Sequence, residues 1–153
     1  MRRQVIWALV MNSEHAQILR GLDRADTDGP IELTNKASAT RQRDAQSEER
    51  GRSHASDRSG RRSAIEPGAD TGLRDMQDFA QEAFKVLEKH RGAGDFDRLT
   101  IFASPKMLGV LRKELPAGLG GAVMQEEAAN LVGMPVHDLR AFIRDRLEGG
   151  MVR

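Results

Sequence analysis

A chain of 153 residues suits one domain built around a single sizeable core. Its 24 Lys and Arg against 23 Asp and Glu leave a formal net charge of +1, so contact with a polyanion must come from a local excess of charge. Cysteine is absent from the chain, which excludes disulfides and thiolate chemistry and fits a reducing compartment.

Arg2 and Arg3 precede the apolar run Val5 to Met11. That run is barely long enough for a signal-peptide core and leads into Asn12-Ser13-Glu14-His15 without a small-residue cleavage site, so a cytoplasmic protein is expected. Membrane insertion is not expected, because no stretch approaches the roughly twenty apolar residues a spanning helix needs. Val5 to Met11 reads instead as a central strand buried on both faces. Asn12-Ser13-Glu14 makes a tight turn, and His15 to Arg20 returns as the second strand of a hairpin. Gly21 to Pro30 is a polar break, after which Ile31 to Asn35 alternates as a third antiparallel strand exposed on one side.

From Lys36 to Glu66 the composition changes, with no Val, Leu, Met, Phe or Trp. Such a segment buries too little apolar surface to offset the entropy of ordering it, so a mobile loop is expected. Lys36, Arg41, Arg43, Arg50, Arg52, Arg58, Arg61 and Arg62 outnumber Asp44, Glu48, Glu49, Asp57 and Glu66, and the arginine surplus lies towards its end.

After Pro67 the apolar period lengthens. Leu73, Met76, Phe79, Ala80, Ala83, Phe84 and Leu87 recur at three and four residues, the core face of a helix of about five turns, with Asp70 or Thr71 at its start and Gly92 at its end. Arg98 to Ala103 is a buried strand, and Ser104-Pro105 supplies a capping residue and an N1 proline for a short helix to Glu114. Pro116 to Gly121 is a glycine-rich connection, Ala122 to Glu127 a weaker strand, and Pro135 to Leu147 a last helix, with Gly149 to Arg153 fraying beyond it. The order predicts one α/β domain over residues 1–153, a ribonuclease H-like mixed five-stranded sheet of three antiparallel strands followed by alternating helix and strand, with helices on its faces.

Several short stretches resemble the bacterial host attachment protein family, in order along nearly the whole chain. They are Trp7-Ala8-Leu9-Val10, Ala16-Gln17-Ile18-Leu19, Gly51-Arg52-Ser53, Gly60-Arg61-Arg62, Glu66-Pro67, Phe96-Asp97-Arg98-Leu99, Ala103 to Arg112 and Pro135 to Leu139. The family's description is a phenotype, attachment of bacteria to host cells, and names no reaction. The resemblance implies a fold related to the central domain of archaeo-eukaryotic peptide-chain release factors, where a loop before the long helix carries Gly-Gly-Gln to the peptidyl-transferase centre. This chain departs there: Gly-Gly-Gln is absent, and Gly120-Gly121 is followed by Ala122 in another connection. Peptidyl-tRNA hydrolysis therefore does not carry over, whereas a ribosome or RNA contact does.

The candidate binding residues are Arg50, Arg52, Arg58, Arg61 and Arg62, whose guanidinium groups can grip phosphate oxygens bidentately. The competing view is a solvated charged loop diluted by five acids and lacking aromatics to stack on bases. A ribonuclease H-like outline invites a metal-dependent nuclease, but Asn12 stands where an acid is needed, and Glu14, Asp97 and Glu126 are isolated. His15, His54, His90 and His137 form no ligand pair, so neither a metal nor another cofactor is expected. Gly118 to Gly121 lacks the Lys-Ser/Thr of a phosphate-binding loop. Ser53, Ser56, Ser59 and Ser63 are ordinary loop serines near basic residues, with no Ser-His-Asp arrangement. The preferred function is a non-enzymatic adaptor contacting RNA or the ribosome, the alternative a protein-interaction module in attachment, and the third a nuclease.

Overall fold

A computed structural model of the chain describes residues 4–22, 29–36 and 69–152. Its strands are β1 (Ile6–Met11), β2 (His15–Leu19), β3 (Ile31–Thr34), β4 (Arg98–Ala103) and β5 (Val123–Ala128). The helices are α1 (Ala69–Gly92), α2 (Pro105–Glu114), the single turn α3 (Ala117–Gly120) and α4 (Val136–Val152). The five strands form one mixed sheet in the order β3-β2-β1-β4-β5. β1 pairs antiparallel with β2 and parallel with β4, while β4 pairs parallel with β5. The antiparallel trio and a first strand parallel to the later two are as the sequence pattern predicts.

Alternation sorts side chains onto two apolar layers. On one face Trp7, Leu9, Met11, Ile18, Leu99 and Ile101 meet Met76, Phe79, Phe84 and Leu87 of α1, Met107 and Leu111 of α2 and Leu119 of α3. On the other, Ala8, Val10, Leu19 and Phe102 meet Leu139, Ile143 and Leu147 of α4. β1 and β4 are buried on both faces, which is why each reads as an unbroken apolar run. α4 is fastened by a chain of contacts: Phe102 meets Phe142 edge-on at 6.5 Å, Arg146 lies 4.9 Å from the Phe142 ring centre, and Arg146 pairs with Glu127 at 3.1 Å.

Four local expectations are corrected. α1 begins at Ala69, so Asp70 and Thr71 lie within its first turn instead of capping it. It ends in a Schellman motif closed at Gly94, not Gly92: Gly94 has φ 81°, its N–H bonds the Arg91 carbonyl at 3.0 Å, and the Asp95 N–H bonds the His90 carbonyl at 2.9 Å. Leu73 is 45% exposed although its spacing assigns it to the core. A helix of 24 residues is about 36 Å long against roughly 20 Å for a six-residue strand, so the apolar stripe outruns the sheet at its first turns. Pro116 to Gly121 is not all connection, since Ala117–Gly120 closes a helical turn that buries Leu119. Two smaller differences are that Ser104 stands at the N-cap of α2 without a side-chain cap bond, and that α4 continues through Val152, past the Leu147 end and over residues expected to fray.

Two glycines predict opposite responses to alanine. Gly94 needs a left-handed backbone, so Gly94→Ala should lower unfolding free energy by about 1 kcal/mol. Gly109 is an exposed position inside α2 with nothing within 4 Å of an added Cβ, so Gly109→Ala should raise it by up to about 1 kcal/mol. Urea unfolding followed by circular dichroism measures both.

Candidate functional site

The ends of the strands define the surface from which the Arg-bearing segment departs. β3 runs antiparallel to β2, so it points the same way as β1, β4 and β5, and all four finish at one edge of the sheet. Lys36 follows β3 there, immediately after Asn35. α1 ends at the opposite edge, where the His90 ring lies 5.1 Å from Trp7, and with its length its first turns run past the carboxyl ends of the strands. Lys36 and Ala69, the two flanks of the segment, therefore both lie on the carboxyl side of the sheet. Arg50, Arg52, Arg58, Arg61 and Arg62 lie outside the described residues, as do His54 and Ser53, Ser56, Ser59 and Ser63.

Amide side chains lock this edge. Asn12 accepts from the backbone N–H of Glu14 at 2.9 Å and of His15 at 2.8 Å through its Oδ1, holding the β1–β2 turn in an Asx arrangement. Buried Asn35 grips the same turn from β3: its backbone N–H bonds the Glu14 carbonyl at 2.8 Å and its Nδ2 the Ser13 carbonyl at 3.0 Å. The Ser104 N–H bonds the Met11 carbonyl at 3.1 Å, and the Ala129 N–H bonds the Ala103 carbonyl at 2.8 Å. Asn130 comes alongside, its Oδ1 3.5 Å from Asn12 Nδ2 and accepting from the Val132 N–H at 3.3 Å. The surface so built is rigid and carries neutral amides and a serine; it can present a ligand with hydrogen bonds, but Asn12 cannot act as an acid, base or anionic metal ligand.

The acids singled out for a nuclease are not brought together. Asp97 sits at the amino edge, where its Oδ2 accepts from the Val5 N–H at 2.9 Å. Glu14 lies in the turn after β1, roughly 20 Å away along a six-residue strand. Glu126 projects from β5 onto the α2 side and takes the Arg112 Nε at 2.7 Å. Among the described residues no group of three or more His, Cys, Asp or Glu could hold a metal ion.

The histidines also separate. His15 is exposed at the start of β2 and His137 in the first turn of α4, whereas His90 holds Asp95 at 2.7 Å at the far edge. Sequence reasoning missed the part of Asn35, which reads only as the polar end of a strand. Its one signal was a residue that both ends alternation and suits a turn.

Asn12→Ala removes the acceptor for two N–H groups and should cost about 1 kcal/mol, while Asn12→Asp keeps it and should cost less. The difference in denaturation midpoint between the two variants is the measurement.

No helix among the described residues is long and apolar enough to cross a membrane. A comparison with curated proteins found no match. A family model described as "protein required for attachment to host cells" matches residues 7–143, from β1 to the third turn of α4, and the chain belongs to that family.

Proposed function

We propose that this host attachment family protein is a non-enzymatic, cytoplasmic adaptor, folded as one ribonuclease H-like unit, that contacts RNA, with ribosomal RNA the foremost candidate. The observation that carries the reading is the shared position of Lys36 and Ala69 on the carboxyl side of the sheet, ahead of the longest helix. This is where the resemblance to the release-factor central domain puts the loop that reaches the ribosome. The strand order supports the same kinship. Arg50, Arg52, Arg58, Arg61 and Arg62 would supply the phosphate contacts, and the loss of Gly-Gly-Gln would leave contact without hydrolysis. A protein-interaction module is the second reading, favoured by the family's own description.

Binding of the purified chain to ribosomes or structured RNA across a salt series separates the two. Five phosphate contacts contribute about −4 to the slope of log affinity against log salt, and changing the five arginines to Ala should reduce its magnitude by about that much. Affinity that is indifferent to salt and to those changes, or no binding to either, would overturn the RNA reading.

A further inference from the structure

We infer that the solvent face of α2 is a second phosphate-contacting surface, a short cationic track along which an RNA backbone lies. The inference rests on the RNA reading and adds to it a site that does not depend on the Arg-bearing segment. At 100° per residue, Lys106, Gly109 and Lys113 fall within roughly 60° of arc on one side of the helix, with the two ammonium-bearing positions about 10 Å apart along its axis. All three are exposed, and no ion pair holds either lysine among the described residues. Arg112 borders them with its side chain 59% exposed, though its Nε is held by Glu126 at 2.7 Å.

Three further observations give the face its chemistry. The first turn of α2 holds no acid and Ser104 makes no side-chain cap bond, so the positive end of the helix dipole is not offset from within the helix. The helix's large apolar residues, Met107, Leu108, Val110 and Leu111, are all buried, which leaves Pro105 as the apolar side chain that α2 exposes. Gly109 lies between the lysines although an added Cβ would meet nothing within 4 Å, so packing within the protein does not ask for glycine there. What a missing side chain provides at an exposed helical position is backbone-level access, a notch where a bulky anionic chain comes close to the helix with a lysine on either side. The face begins at Ser104, at the carboxyl side of the sheet on which Lys36 and Ala69 also lie, so one RNA could touch both regions.

The test uses the full chain and a fluorescently labelled structured RNA, comparing wild type with Lys106→Ala/Lys113→Ala, with Gly109→Glu, and with the five-arginine variant. Lys85→Ala/Lys89→Ala, at the other end of α1, makes the same change in net charge away from the face. Both α2 variants should weaken binding roughly tenfold at low salt, and the double lysine variant should reduce the magnitude of the salt slope by one to two, while the α1 control stays within about twofold. Glutamate is a better helix former than glycine, so Gly109→Glu should keep or raise the melting temperature and its loss of binding is not a loss of fold. RNA binding by wild type that the α2 variants leave unchanged would overturn this inference and leave the loop reading standing. Failure of wild type to bind RNA at all would remove both. Poly-glutamate bound as tightly as RNA, with the same sensitivity to the α2 changes, would overturn the assignment to a phosphodiester backbone.

Discussion

The parallel pairing of β1 with β4 is the constraint from which the other elements take their positions. Its register runs from Ile6 opposite Arg98 to Met11 opposite Ala103, and both strands are covered on both faces. A pair so placed has no water to serve its backbone, so each N–H and carbonyl must find a protein partner. The ends are closed accordingly. At the amino end the Val5 carbonyl takes the N–H of Asp97 and of Arg98 while Asp97 returns a carboxylate oxygen to the Val5 N–H; at the carboxyl end Ser104 N–H closes onto Met11. Those bonds decide where α2 begins and, through the Asn12 turn, where β2 sets off. The carboxyl edge is therefore positioned by the core and not by the surface residues that line it.

β5, by contrast, is an edge strand protected by charge and irregularity. Leu99 pairs with Val123 and Thr100 with Gln125, so Met124 is an extra residue that interrupts the ladder and stands 39% exposed. Glu126 is tied by Arg112 on one face of the sheet and Glu127 by Arg146 on the other. A bulge and two carboxylates make poor templates for another strand, which guards against edge-to-edge pairing. These ion pairs lie near the surface, so they contribute geometry more than stability. Together they clamp a helix from each layer onto the same short strand.

How far the chain could be read in advance follows from which forces act locally. The strands β1 and β4 and the core face of α1 were legible because burial on both sides, or on one helical stripe, leaves a period that residues such as Leu9, Phe102, Phe79 and Leu87 spell out. The exposure of Leu73 was not, since it depends on the helix outrunning a sheet whose length is set by other segments. Gly94 was missed in favour of Gly92 because the decision between two nearby glycines rests on which one takes positive φ. At the candidate site, the arginine surplus was visible from composition alone. The shared carboxyl side of Lys36 and Ala69 was not, for it needs the direction of β3 and the length of α1 at once.

A net charge of +1 says nothing of where the two signs stand, and many side chains of both signs are tied within the fold, Arg20 to the Gly29 carbonyl and Arg98 to the Gly121 carbonyl among them. Many of the described carboxylates have work inside the fold. Asp97 caps the Val5 N–H, Asp95 holds His90, Glu114 accepts from the Gln81 amide at 2.7 Å, and Glu126 and Glu127 anchor Arg112 and Arg146. Of these, Glu126 and Glu127 each face a guanidinium, and at ionic strengths near physiological the field of any exposed charge fades within about 8 Å. Lys106 and Lys113 have no such commitment among the described residues, and Lys106 stands in the first turn, where the helix dipole adds to its sign. A partner approaching this face meets two ammonium groups without an ion pair among the described residues, so a chain that is nearly neutral overall can still offer a polyanion a local cluster of positive charge.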